Sequence, residues 1–436
     1  MDSYLYKREI PHWQDFDVIV AGAGPAGLCA AVASARQGAR TALLERFGAV
    51  GGNLTLGHVT TCMGIVPNGT LKDEIGNLLG TGGECLPHSV EDAKLSLARW
   101  LDQAGVVLYL QTQAVDVRME GNRLSGIVAS TPEGLGMLSC RVAVDATGDG
   151  ALCALAGVPC TVGRTADGLT QPASILFTIG GVESDLTCTH ESDDTPIGGQ
   201  SYLALCEEAS RNGELPPDVT IVRLYGGGKP GERMVNATQL CRVNGVRTAD
   251  IAAADLGLRG QMGQVLSFLR RRIPGFENAF ILDSADVPGF RETRRIEGDY
   301  TLTEDDISAG RTFPDVMVHR ANFCFDTHNP AGGGQAESLE EARSTRPYDI
   351  PYRCFLPRGV ENLLAAGRCI SGTHKAHSSY RVMNICMAMG EAAGVAAALS
   401  ATQGTSPRRL DVRKVQQVLM DGGVPLFDGW SCVLTD

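Results

Sequence analysis

Residues 22–27 read Gly-Ala-Gly-Pro-Ala-Gly, and what flanks this hexapeptide limits the chain to few folds. Before it runs Phe16 to Ala21 (FDVIVA), a short apolar stretch of the kind found in a parallel sheet buried on both faces. After it, Pro25 to Gln37 is rich in alanine and stops at Gly38, which reads as a helix with proline in its first turn and glycine past its end. Arg40 to Glu45 (RTALLE) supplies a second strand. Gly22 permits the tight turn, Gly24 lets the backbone come close to a ligand, and Gly27 lets helix and strand pack closely. Such a unit belongs to the α/β class with a parallel sheet.

The helix start presents free N–H groups and a positive dipole, which is a place for phosphates. Glu45 closes the second strand at the ~20-residue spacing at which a carboxylate meets a ribose hydroxyl. Gly22, Ala23, Gly24, Pro25, Ala26, Gly27 and Glu45 are therefore expected to hold a dinucleotide. The chain continues through Arg46 to a glycine pair and an amide, Gly51-Gly52-Asn53, which brings backbone alongside a ligand beyond the ribose. A domain built for NAD alone has no need of this second loop.

Further helices are expected over Lys72 to Leu79 and Ser89 to Ala104, with a strand over Val106 to Leu110. A hairpin pairs Ala114 to Met119 with Arg123 to Ser130, and Leu138 to Val144 is another strand. From residue 166 to 346 the alternation weakens and glycine-rich loops appear, including SDDTPIGGQ, YGGGKPGE and NPAGGGQAE. That region holds a helix over Gly245 to Arg272 and isolated strands at Phe276 to Leu282 and Val316 to His319. The regular pattern resumes with Leu363 to Ala366, a long alanine-rich helix over Arg381 to Ala401 and an amphipathic stretch over Arg408 to Met420. The expected division is a nucleotide-binding domain in two parts, 1–165 and 347–436, interrupted by a substrate domain over 166–346.

A formal charge of −12 argues against nucleic acid or an anionic membrane surface as partner. No segment is expected to reach the ~18 apolar residues of a membrane helix, and the first residues lack the apolar core of a signal peptide, so a cytoplasmic location is expected. The 14 cysteines form no C-x-x-C pair and no Cys/His cluster at metal-ligand spacing, so no metal site is expected. No second G-x-G-x-x-G follows a strand, which makes a dedicated pyridine-nucleotide domain unexpected, and without iron–sulfur ligands electrons must leave to oxygen, a soluble acceptor or a partner protein. A homodimer is the ordinary expectation for an acidic enzyme of this size.

Val144 to Gly150 (VDATGDG) runs a strand into an Ala146-Thr147-Gly148 turn, and Leu364 to Arg368 (LAAGR) is another strand ending in glycine and a cation. Both resemble the glutathione-reductase-like flavoproteins. Four longer stretches, ERFGAVGGNLTLG, VDATGDGALCALAG, GFRETRRIEGDYTLTEDD and IPYRCFLPRGVENLLAAGRCISGTHKAHSSYRVMNICMAMGEAAG, narrow the resemblance to FAD-dependent oxidoreductases, distant relatives of fumarate reductase flavoprotein subunits and L-aspartate oxidase. The resemblance implies a Rossmann-like, discontinuous FAD-binding domain with an inserted mixed α+β substrate domain, and non-covalent FAD. It places Ala114, Ala146, Thr147, Gly148, Gly367 and Arg368 beside the cofactor, with Arg368 where relatives often carry an acid. It also points the backbone amides of Arg381, Val382 and Met383 at the flavin pyrimidine edge, where a helix N-terminus would stabilise the charge of a reduced flavin.

Candidates for substrate chemistry are His377, His328 and His58 as proton carriers, with His374 beside His377. Each can equally be a structural hydrogen-bonder. In Arg291-Glu292-Thr293-Arg294-Arg295, Arg294 is expected to clamp a carboxylate or carbonyl, the alternative being a salt-bridged surface strand. Cys62 has no second cysteine nearby to make it redox-active. Gly390 and Gly394 share a helical face suited to close packing against sheet or cofactor. The expected activity is oxidation of a small organic substrate by hydride transfer to flavin N5, as a dehydrogenase or oxidase. The alternatives are a flavin monooxygenase and a non-catalytic or electron-carrying FAD subunit.

Overall fold

The computed structural model describes residues 7–82, 88–189, 192–332, 334 and 336–428. Gly333 and Gln335 of the NPAGGGQAE loop lie outside the described residues.

Strand β1 (His12–Ala21) enters the core at Phe16, and Val18, Ile19 and Val20 are fully buried. Helix α1 (Pro25–Arg36) follows, with proline in its first turn and Arg36 at the C-terminal end, where a cation suits the dipole. β2 (Thr41–Leu44) returns parallel to β1. Then come α2 (Leu71–Leu78), α3 (Val90–Gln103) with Ser89 accepting the Asp92 amide as its cap, and β3 (Val107–Tyr109), parallel to β2. β4 (Gln113–Glu120), β5 (Arg123–Thr131) and β6 (Gly134–Asp145) form an antiparallel meander. The short helix α4 (Ala151–Leu155) closes this part.

The sheet runs β3-β2-β1-β6-β5-β4. β6 is long enough to pair antiparallel with β5 over Gly134–Ser139 on one edge and parallel with β1 over Met137–Asp145 on the other.

A second antiparallel sheet is built from β7 (Phe177–Gly180), β8 (Arg223–Gly226), β9 (Arg233–Asn236) and β10 (Phe280–Ser284), in the order β8-β9-β7-β10. With helix α5 (Thr248–Arg272) it surrounds its own apolar core, whose buried members run from Ala173 to Ala285. Ile296 to Phe325 pack into the first core instead. β11 (Leu363–Ala365) then joins the first sheet, parallel to the end of β6.

Helices α6 (His374–Tyr380) and α7 (Met383–Gln403) complete the first core. α7 lies on α1 so closely that a Cβ at Gly390 would sit 2.0 Å from the Ala26 carbonyl oxygen, and one at Gly394 2.3 Å from that of Ala30. The small-residue face therefore packs on α1, not on the sheet.

Two expectations differ, while the helix expected over 381–401 is found as α7, its start set by Val382, which takes an extended conformation and caps it. The strand expected from Phe276 begins at Phe280, since Phe276 lies in a turn and is buried in the second core. The membrane-helix expectation also needs correction. α7 is long and apolar enough to cross a membrane, although 83% of its most apolar window is buried inside the fold.

Candidate active site

The three glycines of the first turn are held to glycine for different reasons. Gly22 has φ 95°, and a Cβ there would lie 2.6 Å from the Ala146 carbonyl oxygen. A Cβ at Gly27 would lie 1.7 Å from the Gly22 carbonyl oxygen. At Gly24, its chain neighbours apart, no atom of the described residues lies within 4 Å of where a Cβ would be. Gly24 faces a cavity of about 430 Å³, so that space is open to a ligand. The second loop rests directly on the first, for a Cβ at Gly52 would lie 2.9 Å from the Gly24 Cα.

Glu45 is 5% exposed and forms part of the cavity wall. Its Oε2 accepts the Ala23 amide at 2.7 Å and its Oε1 the Phe47 amide at 3.0 Å. Burial raises its pKa above 4.5, opposed by these amide bonds. The carboxylate is thus anchored to both ends of the strand–loop junction before any ribose arrives.

Asp145, quoted in the A-T-G stretch without a role, orders that turn. Its carboxylate accepts from the Thr147 amide at 3.1 Å, the Thr147 hydroxyl at 2.7 Å and the Cys153 amide at 2.8 Å. Asp149 then bridges two cations that line the cavity, Arg46 and Arg368, each at 3.2 Å. These guanidiniums suit a ligand's phosphates, with Asp149 holding both in place.

The cavity also meets Pro25, Ala26, Asn53, Ala114, Ala146 and Thr147. Gly148, Gly367, Arg381 and Met383 lie along it too. Ala23, Gly27, Gly51 and Val382 do not, and each has a structural task. Ala23 serves Glu45, and Gly27 packs on Gly22. Gly51 takes φ 110° and donates its amide to the Ala23 carbonyl at 2.8 Å. Val382 packs where a Cβ on Gly64 would clash with it. The Arg381 amide is spent on the His377 carbonyl at 3.1 Å and the Asn384 amide on that of Met63 at 3.1 Å. Of the three amides that the resemblance points at a cofactor, that of Arg381 is thus already committed.

The catalytic candidates separate. His377 is 1% exposed, stands edge-on to Tyr380 and is held well below its ordinary pKa by burial and then by Arg295. It is a core residue. His374 bonds Glu292 at 2.9 Å, and burial followed by Arg295 and Arg164 lowers it to about 4. His58 is buried, has φ 51° and lies 3.8 Å from Asp283 of β10; it does not line the cavity. Arg294 turns to the Asp149 carbonyl at 3.3 Å and is likewise off the cavity wall. Glu292 and Arg295 form a buried ion pair, so this run is not a surface strand.

The remaining candidate, His328, sits in a polar cluster at the Arg381 end of the cavity. Arg381 Nη2 donates to Asp326 Oδ2 at 2.7 Å and to the Asp326 carbonyl at 2.9 Å. His328 Nε2 is 3.5 Å from Asp326 Oδ1, and its backbone amide donates to Gln171 Oε1 at 3.4 Å. Arg291 donates to the Pro172 carbonyl at 2.8 Å, and burial together with Arg381 lowers its pKa to about 10. Burial and then Arg291 bring His328 down to about 4, against the pull of Asp326. Burial pushes the Asp326 carboxyl up, yet His328, Arg381 and Arg291 hold it well below its ordinary value. Arg291, and not Arg294, is the arginine of the RETRR run that reaches this cluster. Asp326 lies two residues before His328 in Phe325-Asp326-Thr327-His328, and in the sequence it stands out only as a nearby acid.

A model of the FAD dependent oxidoreductase family matches residues 17–419. Soluble pyridine nucleotide transhydrogenases of Escherichia coli are 39% identical over 70 residues, so the match spans 16% of this chain and only 14% of theirs. Among solved structures, a geranylgeranyl bacteriochlorophyll reductase-like protein from Thermoplasma acidophilum aligns with a TM-score of 0.49 at 12% identity, covering 94% of this chain and 84% of that one. The p-nitrophenol 4-monooxygenase of Pseudomonas putida aligns with a TM-score of 0.49 at 11% identity, covering 95% and 88%.

Proposed function

The chain belongs to the FAD-dependent oxidoreductase family, and from that premise we propose that it is a dehydrogenase or oxidase acting on a small organic substrate at the Arg381 end of the cavity. Bound FAD supplies the acceptor for the substrate's hydride. The protein's part is to hold the cofactor, orient the substrate and move a proton.

For the cofactor, the α1 N-terminus with Gly24, Arg46 and Arg368 takes the phosphates, and Glu45 takes the adenosine ribose. Gly52, Ala146 to Gly148 and Gly367 supply backbone close to the rest of the molecule. For the substrate, Arg381 orients it and His328, unprotonated at neutral pH with its pKa lowered to about 4, accepts its proton. The observation that carries this reading is the Arg381–Asp326–His328 chain at the cavity end.

Residues 1–165 and 347–436 act as the FAD-binding part in this reading, and the inserted substrate domain lies within 166–346. The separate apolar core from Ala173 to Ala285 supports an inserted unit, and we read it as narrower than the glycine-rich region.

The test is an anaerobic panel of alcohols, amines and saturated acids mixed with the FAD-loaded protein. Bleaching of the flavin absorbance by a member of the panel is expected. If a chemical reductant bleaches the flavin and no organic substrate does, the dehydrogenase reading fails and an electron-carrying role replaces it.

A further inference from the structure

We propose that the Arg291–Asp326–His328–Arg381 cluster is a recognition site for a substrate carrying a single carboxylate, bound between the two guanidiniums. The inference rests on the enzyme reading above and deepens it by naming the substrate class.

Charge is the first argument. Arg291 and Arg381 bring two positive charges against one from Asp326, and His328 is neutral at pH 7. The cluster therefore carries one uncompensated positive charge. Its members keep little solvent contact, with side-chain exposures of 12% for Arg381, 25% for Asp326 and 21% for His328. A poorly hydrated excess charge favours a counter-ion of equal size and opposite sign. A monoanion cancels it, whereas a dianion replaces one uncompensated charge with another.

Unused donors are the second argument, and they are independent of the charge count. Arg381 commits Nη2 to Asp326, while its Nε is buried with no hydrogen-bond acceptor among the described residues. The side-chain nitrogen of Gln171 is likewise buried without an acceptor, and Gln171 is fully buried. Its own Oε1 receives the His328 amide, so that idle donor borders the same cluster. Buried donors without acceptors are uncommon in native proteins and mark places where a partner belongs. A carboxylate oxygen accepts from the idle Arg381 Nε–H in a charge-assisted hydrogen bond, which a neutral amide or hydroxyl cannot match in charge. Arg381 also lines the cofactor cavity, so an acid held there has its neighbouring carbon beside the redox site.

The test uses the full-length, FAD-loaded protein and difference absorption spectra of the flavin at pH 7. Acetate, propionate and benzoate are titrated against acetamide, benzamide, succinate and inorganic phosphate. The expected result is a saturable perturbation by the monocarboxylates, none by the amides, and weaker binding of succinate and phosphate. Arg291→Gln should weaken monocarboxylate binding by about tenfold or more at unchanged FAD content, because Arg291 is not part of the cofactor wall. Asp326→Asn, which raises the cluster's excess charge, should move the preference toward succinate and phosphate. Equal binding of amides and acids, tighter binding of succinate by the unaltered protein, or no response to any monocarboxylate overturns the proposal. The comparison within the unaltered protein decides even if a variant fails to fold. A chain that takes up no FAD would sink the enzyme reading itself, whereas FAD uptake without a carboxylate response sinks only this inference.

Discussion

Glu391 sits in the middle of α7, and its Oε2 accepts the Leu71 amide at 2.8 Å, at the start of α2. Burial, with help from Glu74 and Asp73, raises its pKa from 4.5 to about 7, while the Leu71 amide and Arg36 pull the other way. Between those two values the native state keeps a proton that the unfolded chain releases, so stability falls as pH rises across that interval. At ~1.36 kcal/mol for each tenfold change in proton affinity, moving from 4.5 to about 7 costs at most ~3.4 kcal/mol. It is an upper bound because part of the Glu391 surface still meets a crevice. Glu391→Gln keeps an acceptor for the Leu71 amide and removes the ionisation. At ~2 cal/mol/K of unfolding entropy per residue over 436 residues, the variant should melt up to about 4 °C higher than the parent at pH 8. The two should melt together near pH 4.5. Thermal melts of both proteins at half-unit pH intervals check this. If parent and variant keep the same pH dependence between 4.5 and 7, the buried-carboxyl argument is wrong.

Two glycine substitutions should fail in different ways. Gly390→Ala places a methyl 2.0 Å from the Ala26 carbonyl oxygen and should lower stability by about 1–3 kcal/mol through overpacking, read as a lower melting temperature with some loss of FAD. Gly24→Ala, its chain neighbours apart, meets no atom of the described residues within 4 Å, so its melt without cofactor should match the parent while FAD affinity, measured by fluorescence titration, drops about tenfold or more. With His328 lowered to about 4, a proton-accepting role predicts anaerobic flavin reduction that is flat from pH 5 to 8 and falls as pH drops through about 4. A reduction rate that instead titrates near 6.5 would assign the base elsewhere.

The cofactor side was legible because its signals are local. Gly22, Gly24 and Gly27 lie within one turn, and Glu45 is one helix and one strand away. The substrate side was not. Arg291, Arg294 and Arg295 are chemically alike in sequence, and their fates are decided by Pro172, Asp149 and Glu292 respectively. Two of those three partners come from distant stretches of chain. His377 looked promising because it precedes the long helix, yet the turn of α6 carries it inward against Tyr380. The break between α6 and α7 carried no glycine or proline, only a β-branched Val382 in extended conformation. Asp145 and Asp326 were overlooked for a common reason. Each acts through backbone amides or neighbouring cations, which a search for proton carriers does not weigh.

The seam between α1 and α7 also has a consequence for the order in which the protein is made. The Ala26 carbonyl that Gly390 covers is synthesised first and then waits for most of the chain. At ~5–20 residues per second, the delay is on the order of 20–70 s in a cell. Throughout that time the face of α1 that α7 covers lacks its partner, and Arg381 and Met383 are missing from the cavity wall. Ribosome-bound chains halted before residue 383 should remain open to protease whether or not FAD is supplied. Chains released past residue 403 should gain protection when it is. Cofactor supply can then act on folding only once α7 has been made.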